Sequence, residues 1–132
     1  MNNAMRMWIR DKDETPQGFP LKKLLRGVRS LFGDEHFKVE VFRADGYGFQ
    51  INSWNSTLEK EECIVVDFLV LEKLAEGTEE WFYWLDARIS SVFCSVRLGL
   101  HDSSALYVEA TKTVLTKLEG LFVDVYYSTV SE

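Results

Sequence analysis

The chain has two cysteines, and their placement excludes most of what cysteine does. Cys63 and Cys94 stand 31 positions apart, with no CxxC pair and no histidine at zinc-finger spacing. Each sits in an apolar run, where a free thiol behaves as a small hydrophobe. Prolines are equally scarce, at two, and eight glycines leave no low-complexity linker. No apolar run approaches the roughly 18 residues of a membrane helix. The start, MNNAMRMWIR, lacks the apolar stretch of a secretory signal. These absences point to a soluble, reduced, cytoplasmic protein without membrane association, and no metal or cofactor is expected.

What is present is aromatic and acidic. The 132 residues suit one domain, 1–132, and aromatics reach 14%. The net charge of −6 is unevenly spread. Residues 1–50 carry nine Lys/Arg against seven Asp/Glu, whereas between Glu59 and Asp86 two lysines meet nine carboxylates, a net −7. Such a field repels phosphate backbones and anionic lipid and attracts basic surfaces. Nucleic acid is therefore an unlikely partner, and a basic protein is the expected one.

Alternation over Met5–Arg10 predicts a short first strand. Leu21, Leu24, Leu25, Val28, Leu31 and Phe32 make the apolar face of a helix running from Pro20, with Gly33 as its stop. Lys22, Arg26 and Arg29 form a basic stripe beside that face. Asp45-Gly46, between the alternating runs Phe37–Ala44 and Tyr47–Trp54, predicts a hairpin. Asn55–Lys60 reads as a turn and Cys63–Phe68 as a strand; 69–76 fits a strand end or a short helix equally well. Val92–Leu100, Leu106–Ala110 and Phe122–Val130 read as strands, and Thr111–Glu119 as a helix stopped by Gly120.

The stretch EEWFYWLDARISSVF, Glu79–Phe93, sets four aromatics in a row behind two carboxylates. At helical spacing Trp81, Trp84, Leu85, Ile89, Val92 and Phe93 share a face, so a helix over Glu79–Ser90 is expected. It would leave Phe82 and Tyr83 toward the exterior. The resulting order, (β)αβββαββαβ, is an α+β domain with a mostly antiparallel sheet and about three helices.

Candidate chemistry is thin. His101-Asp102-Ser103 holds the residue types of a hydrolase triad, but neighbours in a tight turn cannot converge as a triad must, and Asp and Ser favour turns. His36 reads as a solvated loop residue. Asp67, in an apolar run, suggests a carboxyl of raised pKa or, more simply, the exposed face of a strand. The basic stripe has no glycine-rich phosphate loop beside it.

Two functions are weighed. The first is a non-enzymatic module whose acidic, aromatic surface, with Glu61, Glu62, Glu79, Glu80, Phe82, Tyr83 and Asp86, engages a basic partner. The second is a small-molecule binder or small enzyme with a pocket in a curved sheet, lined by Tyr47, Trp54, Asp67, Trp84, His101 and Tyr107. The inner order αβββαββα, Pro20 to Glu119, resembles type III secretion chaperones, which are small, acidic, dimeric and non-enzymatic. Size and acidity are similar to bacterial immunity proteins and inhibitors that cover basic nuclease toxins. Both likenesses, in element order and in composition, imply a protein that covers another; a homodimer is expected because a chain rich in aromatics, with strands at a sheet edge, can hide exposed apolar area in a two-fold interface. Neither assigns a role to any residue.

Overall fold

Apolar side chains at helical spacing, Leu21, Leu24, Leu25, Val28 and Phe32, are all buried, and they set α1 (Leu21–Phe32) against the sheet. The computed structural model describes residues 4–130. In chain order the other elements are β1 (Ala4–Ile9), β2 (Lys38–Tyr47), α2 (Phe49–Leu58), β3 (Ile64–Val66), α3 (Phe68–Ala75), β4 (Trp81–Ser90), β5 (Ser95–His101), β6 (Ala105–Thr111), α4 (Lys112–Glu119) and β7 (Val125–Thr129). The strands form one antiparallel sheet in the order β3-β2-β4-β5-β6-β1-β7. The N-terminal strand is thus wedged between β6 and β7. The class is the expected single α+β domain, with a fourth helix.

Val39 and Val41, Phe82 and Leu85, Val96 and Leu98, Leu106 and Val108, and Met7 and Ile9 project from one face of the sheet. With the apolar faces of all four helices they make one core. The opposite face carries no helix residue of that core. It presents Glu40, Asp86, Arg88, Arg97, Glu109, Arg6, Trp8 and Tyr107.

Two expectations fail. Asp45-Gly46 is not a hairpin tip; both residues lie inside β2, paired to β4. Gly46 is needed for close approach: a Cβ there would fall 2.9 Å from Phe82 Cα. The chain breaks instead at Gly48, whose φ of 131° suits glycine. Residues 49–58, read as strand and turn, form α2, burying Ile51 and Trp54 three apart. Its Asn, Ser and Thr content disfavours a helix, and tertiary packing overrides that preference.

The second failure is Glu79–Ser90, which is strand β4 and not a helix. The register slips between Asp45↔Trp84 and Gly46↔Phe82, so Tyr83 is an extra residue in a β-bulge. The bulge sends Phe82 and Leu85, three apart, to the same side, which imitates helical spacing. Phe82 is consequently fully buried and stacks on Trp54 at 6.4 Å, whereas Tyr83 is 42% exposed. A second irregularity at Phe42 does the same for Val41 and Ala44. Between α1 and α4 the order is therefore αβαβαβββα, and the likeness in element order to secretion chaperones is absent.

Candidate functional site

The acidic segment does not form one face, because five of its nine carboxylates are engaged within the fold. Glu76, at the C-terminal cap of α3, and Glu72 within it receive Lys22 and Arg26 of α1, each at 3.0 Å, so much of the basic stripe is matched internally. Lys22 holds the Glu76 carboxyl below the usual range. Asp67 caps α3, accepting from the Leu69 N–H at 2.7 Å; it is exposed. Asp86 pairs with Arg97 at 2.7 Å, and the pairing raises the Arg97 pKa. Glu80, expected at the N-terminus of its own helix, serves another. It accepts from the Ile51 N–H at 3.1 Å in the first turn of α2 and packs where a side chain on Gly48 would be. Glu59, Glu61, Glu62 and Glu79 are exposed, with no ion pair among the described residues.

A cleft of about 390 Å³ lies among α2, α3 and the start of β4. Leu69, Val70 and Leu74 give it an apolar wall, and Lys73, Glu79 and Glu80 ring it. Leu69 is 70% exposed, a large amount for a leucine on a packed helix. Phe49, next in sequence to the lining residue Gln50, is also well exposed. Tyr47 stacks on Trp81 at 4.6 Å beside Glu80. An apolar surface of this kind, rimmed by charge, is how binding sites commonly present themselves.

The helix-free face of the sheet holds a second arrangement. Trp84, His101, Tyr107, Trp8 and Tyr126 form a row of rings across β4, β5, β6, β1 and β7, with neighbouring centroids 4.9, 4.9, 5.5 and 6.1 Å apart. Arg43 lies over Trp84 at 3.8 Å, Arg6 over Tyr107 at 4.1 Å and Arg10 over Tyr126 at 4.5 Å. Each guanidinium also has a carboxylate: Asp45, Glu109 and Asp124 respectively. Tyr107 lies flat over Gly99, its cross-strand neighbour, where a Cβ would fall 2.5 Å from its Cζ. It is buried yet stands outside the hydrophobic core, and burial pushes its hydroxyl up to about 12. Burial, helped by Arg6, lowers the His101 pKa. One row along, Glu40 is buried beneath Arg88, whose guanidinium donates to it at 3.0 and 3.2 Å and lowers its pKa.

Of the six expected pocket residues, Trp84, His101 and Tyr107 adjoin. Trp54 belongs to the core, Tyr47 stacks on Trp81 and Asp67 is a cap. Of the seven expected partner-binding residues, Glu79 and Glu80 share the cleft. Glu61, Glu62 and Tyr83 are exposed, Asp86 is on the open face and Phe82 is withdrawn into the core. His101-Asp102-Ser103 is a turn: Asp102 and Ser103 have φ of 50° and 53°, and the Ser104 N–H donates to the His101 carbonyl. The Ser103 N–H donates to the carbonyl of the bulged Tyr83, so turn and bulge brace each other. Sequence reading missed Leu69, Val70, Trp8 and Tyr126 as site residues. Trp8 was legible, since it alternates with Met7 and Ile9 and so must face away from them.

No protein-family model, curated protein or solved structure matches the chain.

Proposed function

We propose that the protein is a non-enzymatic protein-binding module whose cleft between α2, α3 and β4 takes a basic, partly apolar segment of a partner protein. The observation that carries this reading is the exposed wall of Leu69 and Val70 beside Glu79 and Glu80. Burying such a wall supplies about 25 cal/mol per Å² of apolar area, while the unpaired Glu79 at its rim favours a cationic partner and speeds its approach. The unpaired Glu59, Glu61 and Glu62 on the connection into β3 extend the same sign of charge. A basic toxin is the kind of partner meant, and the protein's location would be the cytoplasm. A homodimer belongs to the same reading: β3 and β7 are both sheet edges with unpaired backbone groups.

The test is affinity capture from host lysate, then kinetics with the recovered protein. A basic partner should associate more slowly as salt rises past physiological strength, where the screening length is about 8 Å. Glu79→Lys should slow association several-fold, and Leu69→Ala should speed dissociation. A partner indifferent to salt and to both substitutions refutes the proposal. Sedimentation at micromolar concentration tests the dimer; a single 15.3 kDa species refutes that part.

The small-molecule reading keeps one observation in its favour, the meeting of Trp84, His101 and Tyr107 on the open face. Their rings meet at tilted and edge-on angles, with ion-paired guanidinium groups over Trp84 and Tyr107, an arrangement that also suits a self-contained stabilising layer.

A further inference from the structure

We infer that a separate cavity at the β7 end of the aromatic row is a binding site for a small, flat organic anion of the aryl carboxylate class. The cavity measures about 250 Å³. Trp8, Tyr126, Phe19 and Leu106 wall it, and its lining holds two cations, Arg10 and Lys12, and no carboxylate. At the packing density of protein interiors, about 0.75, this volume admits roughly 190 Å³ of ligand, one ring or a fused pair with its carboxylate.

The walls are fixed. Trp8 donates its indole N–H to Ser128 Oγ at 2.9 Å and lies nearly parallel to Tyr126, at 14°. Phe19 and Leu106 are buried from below. The Asp11 carboxylate accepts from the Val123 and Asp124 N–H groups, which ties the segment carrying Lys12 to the chain entering β7. Asp124 neutralises the lining Arg10, leaving Lys12 as the unmatched cation, and Asp13 accepts from the Thr15 N–H. Lys12 Nζ stands 4.0 Å from the Phe19 ring centre and has no carboxylate partner among the described residues. The cavity thus offers flat apolar walls and one uncompensated ammonium at its edge. A cationic ligand would be repelled by the uncompensated Lys12 ammonium, and a neutral ring would leave it unused. A ring bearing a carboxylate uses both features.

Benzoate is a suitable probe. Titrated into ¹⁵N-labelled protein, it should shift the Trp8 indole N–H saturably. Benzyl alcohol and benzylamine should bind at least about tenfold more weakly, the factor that 1.4 kcal/mol represents. Lys12→Gln should weaken benzoate by a similar factor and lower the thermal midpoint by no more than about 4 °C, the loss of its contact with the Phe19 ring. Absence of saturation in the millimolar range overturns the inference. So does equal binding of the three probes, or indifference to Lys12→Gln. The partner capture above is independent of every one of these outcomes.

Discussion

Phe82 and Tyr83 are chemically similar neighbours, and the fold assigns them opposite energetic roles. Phe82 is fully buried against Trp54, while Tyr83 bulges out and is 42% exposed. Truncating a buried phenylalanine removes its transfer free energy and leaves a cavity, about 3–5 kcal/mol in all. A chain of 132 residues has a total stability of roughly 7–20 kcal/mol at 0.05–0.15 kcal/mol per residue, so Phe82→Ala should remove a large share of it. With an unfolding entropy of about 2.1 cal/mol/K per residue, the midpoint should fall by roughly 11–18 °C. Tyr83→Ala loses a half-exposed ring and a long contact with Trp81, and should cost about 1 kcal/mol or less. The assay is urea unfolding followed by tryptophan fluorescence, with thermal melts as a check. If Glu79–Ser90 were a helix with Phe82 and Tyr83 both outside, both costs would be small. A Phe82→Ala cost below about 1 kcal/mol, or a larger cost for Tyr83→Ala, refutes the bulged strand.

Three further outcomes follow from the same geometry. Arg88→Met should destabilise by about 1–2 kcal/mol at pH 7, a buried-pair loss discounted because Arg88 is 40% exposed. Glu40 has a depressed folded pKa, so the stability it contributes is present above its unfolded pKa and is lost as pH falls through the folded value. The gap between wild type and Arg88→Met, measured by urea titration, should therefore close on acidification; a gap constant from neutral to acid pH contradicts the pairing. Gly99→Ala should cost about 1–3 kcal/mol by forcing the Tyr107 ring off the strand, and that cost should vanish when the substitution is made in a Tyr107→Ser background. Asp67→Ala should cost about 1 kcal/mol as a lost helix cap; a neutral melt would deny the cap.

How much of this was legible in the sequence depended on whether local pattern and local structure agreed. α1, β1, β6 and α4 follow their periodicities because each buries one uninterrupted face. Periodicity misled where the register slips: Phe82 and Leu85 share a face only because Tyr83 bulges, and a bulge is specified by the partner strand. Asp-Gly misled because Gly46 answers a steric demand of Trp81 and Phe82, residues far along the chain on the partner strand. The acidic segment was visible as composition, but its neutralisation by Lys22, Arg26 and Arg97 depends on which elements are packed together. The open-face row was half visible, since Trp84, His101 and Tyr107 were grouped without Trp8 and Tyr126, which join it through the long-range pairings Trp8↔Tyr107 and Trp8↔Tyr126.

The seat of β1 between β6 and β7 sets a timetable for synthesis. Residues 4–9 find their hydrogen-bonding partners only among residues 106–111 and 125–129. At about 5–20 residues per second, the first strand leaves the ribosome roughly 5–20 s before β6 can receive it. Through that interval Met5, Met7, Trp8 and Ile9 have no sheet to join, and a nascent chain carrying them is a target for chaperones. Helix α1 and the β2–β4 ladder can form meanwhile from neighbouring sequence, so the domain would assemble from its middle outward and seal at its two ends last.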